Sequence, residues 1–443
     1  MVGIGKKLTY NLQPTTYNLN MNNLINKIQM IFRDKAIRKR VIFALVALVV
    51  FRLFAAVPIP GIDTLKLEQF FSGNQFFGLL NIFSGGGLSK LSIVMLGVGP
   101  YITASIIMQL LTMMSPKLKA LYHEEGEAGR ARFTQYSRLL TIPLALIQGF
   151  SFMTLLQKQG IIAQAGSLEL LTNLSVIVAG SVLLMWVGEL ITEFGIGNGT
   201  SLIIFAGIVA GLPSAISQNI FAFSVSQIPL YAGFLAASLA VVLGVVVVTE
   251  AERPIPITYA KRVRGMKVYG GISTYLPLRV NQAGVIPIIF ALSILLFPQM
   301  IFKFLETASN DMIKSVSQFA LGILSNGWFY AIAYFVLVFI FTYFYTAVTF
   351  DPENISTNLQ KSGAFISGVR PGQSTSEYIA KIVTRITLVG ALFLGFIAVL
   401  PLITQAITGI TSLAIGGTAL LIVVSVVIDL VKKIEAQISM REY

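Results

Sequence analysis

Residues 229–249 read PLYAGFLAASLAVVLGVVVVT, a stretch with no charged side chain. At about 1.5 Å per residue, a helix of this length spans the roughly 30 Å hydrocarbon core of a bilayer. Backbone groups left unpaired in lipid are costly, so a continuous apolar run of this kind reads as a transmembrane helix. Nine similar runs accompany it, at about 41–57, 93–114, 139–157, 174–192, 200–217, 284–302, 328–349, 383–403 and 413–431. The 443-residue chain is 55% hydrophobic and 12% charged, with a mean hydropathy of +0.79. A water-soluble domain carries roughly twice that share of charge. The sequence therefore describes an all-α, polytopic membrane protein of ten spans.

The stretch from Phe70 to Ser92 is only partly apolar. Ser84, Gly85, Gly86, Gly87 and Lys90 interrupt it, so it reads as a re-entrant or short helical piece leading into the second span. Twenty-six of the 32 lysines and arginines fall in the N-terminal arm, the loops after spans two, four, six and eight, with Arg385 at the edge of span nine counted in the last of these, and the tail. Five fall in the remaining loops, and Arg52 lies inside the first span. Basic residues are retained on the inner side of a membrane, which places both termini in the cytoplasm. The chain then divides into a cytoplasmic arm (1–40), five spans (41–217), five more spans (218–431) and a cytoplasmic tail (432–443). In the arm, Leu24, Ile25, Ile28, Ile31 and Phe32 recur at helical spacing among Lys27, Arg33, Lys35, Arg38, Lys39 and Arg40. This is the pattern of an amphipathic helix on anionic lipid.

Several chemistries are disfavoured by composition. There is no cysteine, hence no disulfide, thiolate nucleophile or cysteine-bearing metal site. His123 sits alone in a polar loop, without the convergent ligands a metal needs. No phosphate-binding G-x-x-x-x-G-K-[ST] occurs, so direct nucleotide binding is not expected. A secondary solute transporter would require ionisable groups near the midplane, where only Arg52 lies clearly inside a span. An intramembrane hydrolase would require a catalytic pair inside the spans, and none is convincing.

Two loops on the basic side are unusually long, about 250–283 and 350–382, where connections in helical bundles usually run 2–8 residues. The first interleaves Arg253, Lys261, Arg262, Arg264, Lys267 and Arg279 with Tyr259, Tyr269 and Tyr275. The second carries Lys361 and a Gly368-Val-Arg-Pro-Gly372 run that predicts a tight exposed turn presenting Arg370. Both loops are expected to dock RNA or an acidic protein surface.

Several runs resemble the SecY protein-conducting channel family. They are Pro58-Ile-Pro-Gly-Ile-Asp63, Phe83-Ser-Gly-Gly-Gly-Leu-Ser-Lys90, Pro100-Tyr-Ile-Thr-Ala-Ser-Ile-Ile-Met-Gln-Leu-Leu111 and Glu125-Gly-Glu-Ala-Gly-Arg130. Gly195-Ile-Gly-Asn-Gly-Thr-Ser201, Tyr259-Ala-Lys-Arg262, Ser273-Thr-Tyr-Leu-Pro-Leu-Arg-Val-Asn281 and the Arg370 run complete the set, in the family's order over about 22–435.

That resemblance implies ten helices in two inverted five-helix halves around a central pore, with a re-entrant plug helix at about 79–93. The plug would contain Phe83, Gly85, Gly86, Gly87 and Leu88. A ring of apolar side chains at the waist would correspond to Val98, Ile102, Thr200, Ile204, Ile286 and Ile422, with Thr200 departing from the usual aliphatic residue. Lys261, Arg262, Arg264 and Arg370 would dock the SecA ATPase motor or a translating ribosome, and Met266 stands where relatives often have Arg. A lateral gate would lie between spans two and three on one side and seven and eight on the other. The implied partners are SecE, SecG, signal-sequence-bearing polypeptides and anionic lipids. No cofactor, metal or enzymatic activity is implied. The implied location is the bacterial plasma membrane, with a plastid membrane as the alternative. The residues agree with the ring: Val98 and Ile102, like Thr200 and Ile204, are four apart and share a helix face. Deformable side chains without hydrogen-bonding groups can close around any polypeptide, and a dewetted constriction resists ions.

Overall fold

A computed structural model describes residues 34–59, 81, 84–88, 90–158, 160–162, 166–221, 228–260, 262–264, 267–269, 273–284, 286–306, 310–408 and 411–439. Phe83, Lys261, Met266 and most of the expected amphipathic arm lie outside these residues. The first half comprises helices α1 (Lys35–Ala55), α2 (Gly99–Met114), α3 (Pro116–His123), α4 (Gly126–Lys158), α5 (Ser167–Phe194) and α6 (Gly199–Phe221). The second comprises α7 (Ile228–Glu250), α8 (Ile286–Leu305), α9 (Asp311–Ser325), α10 (Gly327–Thr349), α11 (Pro352–Lys361), α12 (Gln373–Thr408) and α13 (Thr411–Ser439). Each expected span falls on one of these helices, and α3, α9 and α11 are additional short ones. Among the described residues, 126–157, 168–194, 327–361 and 373–400 are long and apolar enough to cross a membrane unaided.

Helix ends depart from the hydropathy reading for local reasons. The N-terminus of α1 is fixed by Asp34, whose carboxylate accepts from the backbone N–H of Ala36 at 2.8 Å and Ile37 at 3.4 Å. The second span begins as helix at Gly99 rather than at 93, because Gly97 takes a left-handed φ of 58° and residues 91–98 run in turns. Helices α4 and α12 start well before their apolar stretches, and α13 continues to Ser439. Their polar turns are invisible to a search for apolar runs.

One large apolar core runs through both halves. Within the first half, α2 packs on α4 and α1 on α5 and α6; within the second, α10 packs on α12 and α7 on α13. The halves meet where α8 lies against α2 and α4, and where α13 lies against α6.

The all-α reading holds for the membrane body, and a small antiparallel sheet lies outside it. Strands β1 (Glu252–Tyr259), β2 (Arg262–Arg264), β3 (Lys267–Tyr269), β4 (Ser273–Arg279) and β5 (Ala364–Ile366) arise from the two long loops. The first sheet has the order β4-β1-β5, with Glu252 opposite Arg279 and Ile257 opposite Ile366. A separate two-stranded ribbon pairs β2 with β3. Ile255, Leu278 and Ile366 form a second core with Ile379, Ile382 and Val383 of α12. The two loops are thus one folded module seated on the extended end of α12.

Candidate functional site

The residues expected at the waist lie where helices of both halves converge. Val98 is fully buried at the N-cap of α2, Ile102 follows one turn later at 8% exposure, Ile204 of α6 is 1% exposed, and Ile422 of α13 is fully buried. All four belong to the main core, and Ile286, the first residue of α8, packs against it. None carries a hydrogen-bonding side chain. Thr200 is the exception in residue type, but its hydroxyl donates to Asn198 Oδ1, which also accepts the backbone N–H of Thr200 and Ser201. Its methyl faces Gly188, where an added Cβ would stand 3.2 Å away. The hydroxyl is therefore used up in capping α6.

Above the waist, at the end that bears the sheet, lies a cavity of about 300 Å³. The starts of α6 and α8 and the last turns of α13 line it, and its wall includes Ile286 and Ile289. Asn198, Ser201, Arg279, Asn281, Asp429 and Lys433 add polar groups to a wall that also contains Leu202, Val426 and Ile428. The cavity is thus lined by residues of both charge signs together with apolar side chains, and it shares Ile286 with the expected collar. Ions lose their hydration partners at an apolar constriction, which is what makes one a seal.

Against the main core sits the glycine run. Asn81 is helical, and from Ser84 the chain proceeds in turns through Leu96. Gly85 and Gly86 adopt φ of 67° and 82°, a left-handed geometry that favours glycine. Ser84 donates to Asn81 O at 3.0 Å and accepts from Leu88 N at 2.9 Å, while Ser92 Oγ donates to Gly87 O at 3.0 Å. Ile59 and Ile93 N–H groups donate to Leu91 O and Val57 O, so the segment is also tied to the end of α1. Leu88, Leu91, Val94 and Met95 are completely buried. Leu91 takes a left-handed φ of 42°, an uncommon geometry for a branched residue that its burial enforces. Ser181 of α5 donates to Gly97 O at 3.0 Å, and a Cβ on Gly180 would collide with the Ile93 carbonyl. Gly85 and Gly86 are thus set against Phe51 and Arg52 of α1 and Gly207 of α6, and Leu88 is buried in the main core.

At the sheet end, Arg370 is exposed on a turn whose flanking glycines, Gly368 and Gly372, have φ of 85° and 99°. The turn is pinned from behind: Thr375 Oγ1 donates to Arg370 O at 2.8 Å and Ser356 Oγ to Gly372 O at 2.6 Å. Arg262 and Arg264 occupy β2, opposite Tyr269 and Lys267.

Two features escaped the sequence reading. The sheet was one, although β1 alternates burial over Ile255 and Ile257, a period-two signal inside a proline-rich segment. The other is Glu189, an ionisable group within the fourth span besides Arg52 in the first. It accepts from Arg138 Nε at 2.8 Å and, more weakly, from Tyr101 at 3.4 Å, so the charge is paired.

A family model described as SecY matches residues 92–431. The chain belongs to the SecY family. The protein translocase subunit SecY of Thermus thermophilus is 43% identical, over 92% of this chain and 94% of the relative. A solved SecY, whose plug domain stabilises the closed state of its translocation channel and maintains a membrane seal, shares the fold with a TM-score of 0.63 at 19% identity, covering 90% and 92% of the two chains. A Sec61 chain in a canine ribosome–channel complex from the endoplasmic reticulum gives 0.57 at 17%, also over 90% and 92%. SecY family membership accounts for an apolar waist between two five-span halves with a folded module on one end. It also makes this chain a multi-pass membrane protein.

Proposed function

We propose that this chain is the passive channel subunit of a protein translocase, moving unfolded secretory proteins across the membrane and releasing membrane proteins sideways into it. The observation that carries this reading is the waist. Four buried apolar side chains from α2, α6 and α13, with no hydrogen-bonding group among them, close the path beneath a cavity lined by charged, polar and apolar side chains. A ring that binds nothing specifically suits a substrate defined only by being unfolded. The roles follow by position: Val98, Ile102, Ile204, Ile286 and Ile422 with the Thr200 methyl form the collar, and the segment from Gly85 to Leu88 is the plug. The seam of α8 on α2 and α4 is the lateral gate. Parting it lets an apolar signal sequence leave water for lipid, a gain of about 25 cal/mol per Å² buried.

In this reading the sheet end faces the cytoplasm of a bacterial cell, in line with the excess of basic residues there. Lys261, Arg262, Arg264 and Arg370 receive the SecA motor or a translating ribosome. A ribosome partner is supported by the ribosome-bound Sec61 neighbour. SecE and SecG are the small subunits expected to brace the halves, and the basic arm rests on anionic lipid. The chain supplies no catalysis; energy comes from the partner.

The test uses the absence of native cysteine. Ile102→Cys or Ile422→Cys should form a disulfide with a single cysteine placed in a precursor stalled during translocation. Ile332→Cys, on the exposed face of α10, should not. Equal crosslinking at all three positions, or none at the ring, would remove the waist from the translocation path.

A further inference from the structure

Arg52 is the one basic residue within the first span, where a charge costs about 2.5–3.5 kcal/mol on insertion scales. The structure gives that charge an address. Its Nη1 donates to the carbonyl of Gly85 at 3.0 Å, across 33 residues of sequence and directly onto the glycine turn. The guanidinium also flanks Gly86, whose added Cβ would lie 3.5 Å from Nη1. The neighbouring side chain completes the fit: Phe51 is fully buried, and a Cβ on Gly85 would stand 2.5 Å from its Cζ. From the opposite side Gly207 of α6 abuts the turn so closely that any Cβ there would strike the Gly85 backbone.

We infer that Arg52 is the positioning residue that clasps the plug turn in its seat, and that breaking the Arg52–Gly85 hydrogen bond is the step by which the plug is released. This deepens the channel reading and rests on it. A bond from an ionised donor is roughly twice as strong as a neutral one, and here the donor is partly buried. It joins one side chain to one backbone carbonyl, so it opens at a single point. Direction matters as well. The polar contacts described for residues 84–97 reach α1, its C-terminal extension and α5, and the close glycine contact reaches α6; all lie in the first half. Swinging α8 away from α2 and α4 leaves those contacts intact. Gate opening and plug release are therefore separate events, and the clasp governs the second.

The experiment compares resting halide leak through reconstituted complexes bearing the wild-type chain, Arg52→Leu, Arg52→Lys and a deletion of residues 80–92. Arg52→Leu should raise leak about tenfold toward the level of the deletion, and Arg52→Lys, which keeps a charged donor, should fall between it and wild type. Amide exchange in the Leu variant should accelerate at residues 84–92 and stay unchanged in α10 and α12, which a general loss of packing would not produce. Should the Leu variant not assemble, Arg52→Gln, whose shorter amide does not reach as far, carries the same comparison. A leaky deletion beside a sealed Arg52→Leu or Arg52→Gln overturns the clasp and leaves the plug standing. A deletion that seals as well as wild type overturns the plug reading and the clasp with it.

Discussion

At the proposed waist, Val98, Ile204 and Ile422 are buried among side chains drawn from both halves of the chain. At the sheet end, Ile255, Leu278 and Ile366 are buried as deeply, yet beneath strands whose exposed positions carry Glu252, Arg253 and Arg279. Both regions have apolar cores, used differently. In the proposed channel the waist has to come apart during each transport event, and the side chains of its collar offer interchangeable hydrocarbon surfaces. On the proposed reading the sheet module has to persist while a partner pushes on it, and it has strand pairing, a core of its own and pinned turns. A protein-conducting channel needs one region built to yield and another built to resist.

That contrast predicts a clean separation of phenotypes. The largest effect is expected from Ile204→Asp, which puts a carboxylate at a site 1% exposed. On insertion scales an aspartate at membrane depth costs at least about 2.5 kcal/mol, and a wetted collar should pass halide at rest, measured as dye quenching in vesicles. A variant that seals normally would show that the seal lies elsewhere. Next is Leu278→Ala, which empties a side chain 1% exposed in the module's core. A loss of about 2–5 kcal/mol should appear as faster amide exchange in β1 and β4, with weaker export and unchanged leak. If exchange in α8 and α10 rises equally, the module is not an independent unit. Arg370→Glu follows, a reversal on an exposed turn whose backbone is held by Thr375 and Ser356. Motor-driven export should fall about tenfold, equivalent to 1.4 kcal/mol of docking, while assembly and leak stay as in wild type. Normal export would take Arg370 out of the docking surface.

How far the molecule was legible beforehand follows the same division. The membrane body could be read because lipid imposes a single rule, that backbone groups pair within a helix, and runs such as 229–249 state it without ambiguity. Boundaries failed where local geometry overrode hydropathy, as at Gly97, whose positive φ delays the second span to Gly99. The buried, convergent placement of Val98, Ile102, Ile204 and Ile422 was within reach of helical spacing and family resemblance. That the Thr200 hydroxyl is spent on Asn198 needed coordinates. The sheet was hidden because its strands come from segments about a hundred residues apart, and Pro254, Pro256 and Pro277 weaken the strand signal. Arg52 could be singled out as an anomaly, but its partner is a carbonyl, which no side-chain pattern reveals.

The smallest expected effect tests the joint between the two regions. Lys432 on α13 donates to Glu250 Oε1 at 3.0 Å and to Thr249 O at 3.1 Å, at the end of α7 just before β1 begins. The lysine side chain is 17% exposed, but Glu250 is 47% exposed, so solvent screens the ion pair and its share is at most about 1 kcal/mol. The bond to the Thr249 carbonyl matters differently: it caps a helix end whose carbonyls have no further helical partners. Lys432→Met keeps much of the stem and removes both bonds, and should accelerate exchange only around residues 249–252. Lys432→Arg should restore most of the protection. If the Met variant instead loosens the waist, force applied at the sheet end is carried to the collar through α13 as well as through α7. The region built to yield and the region built to resist would then share a strut.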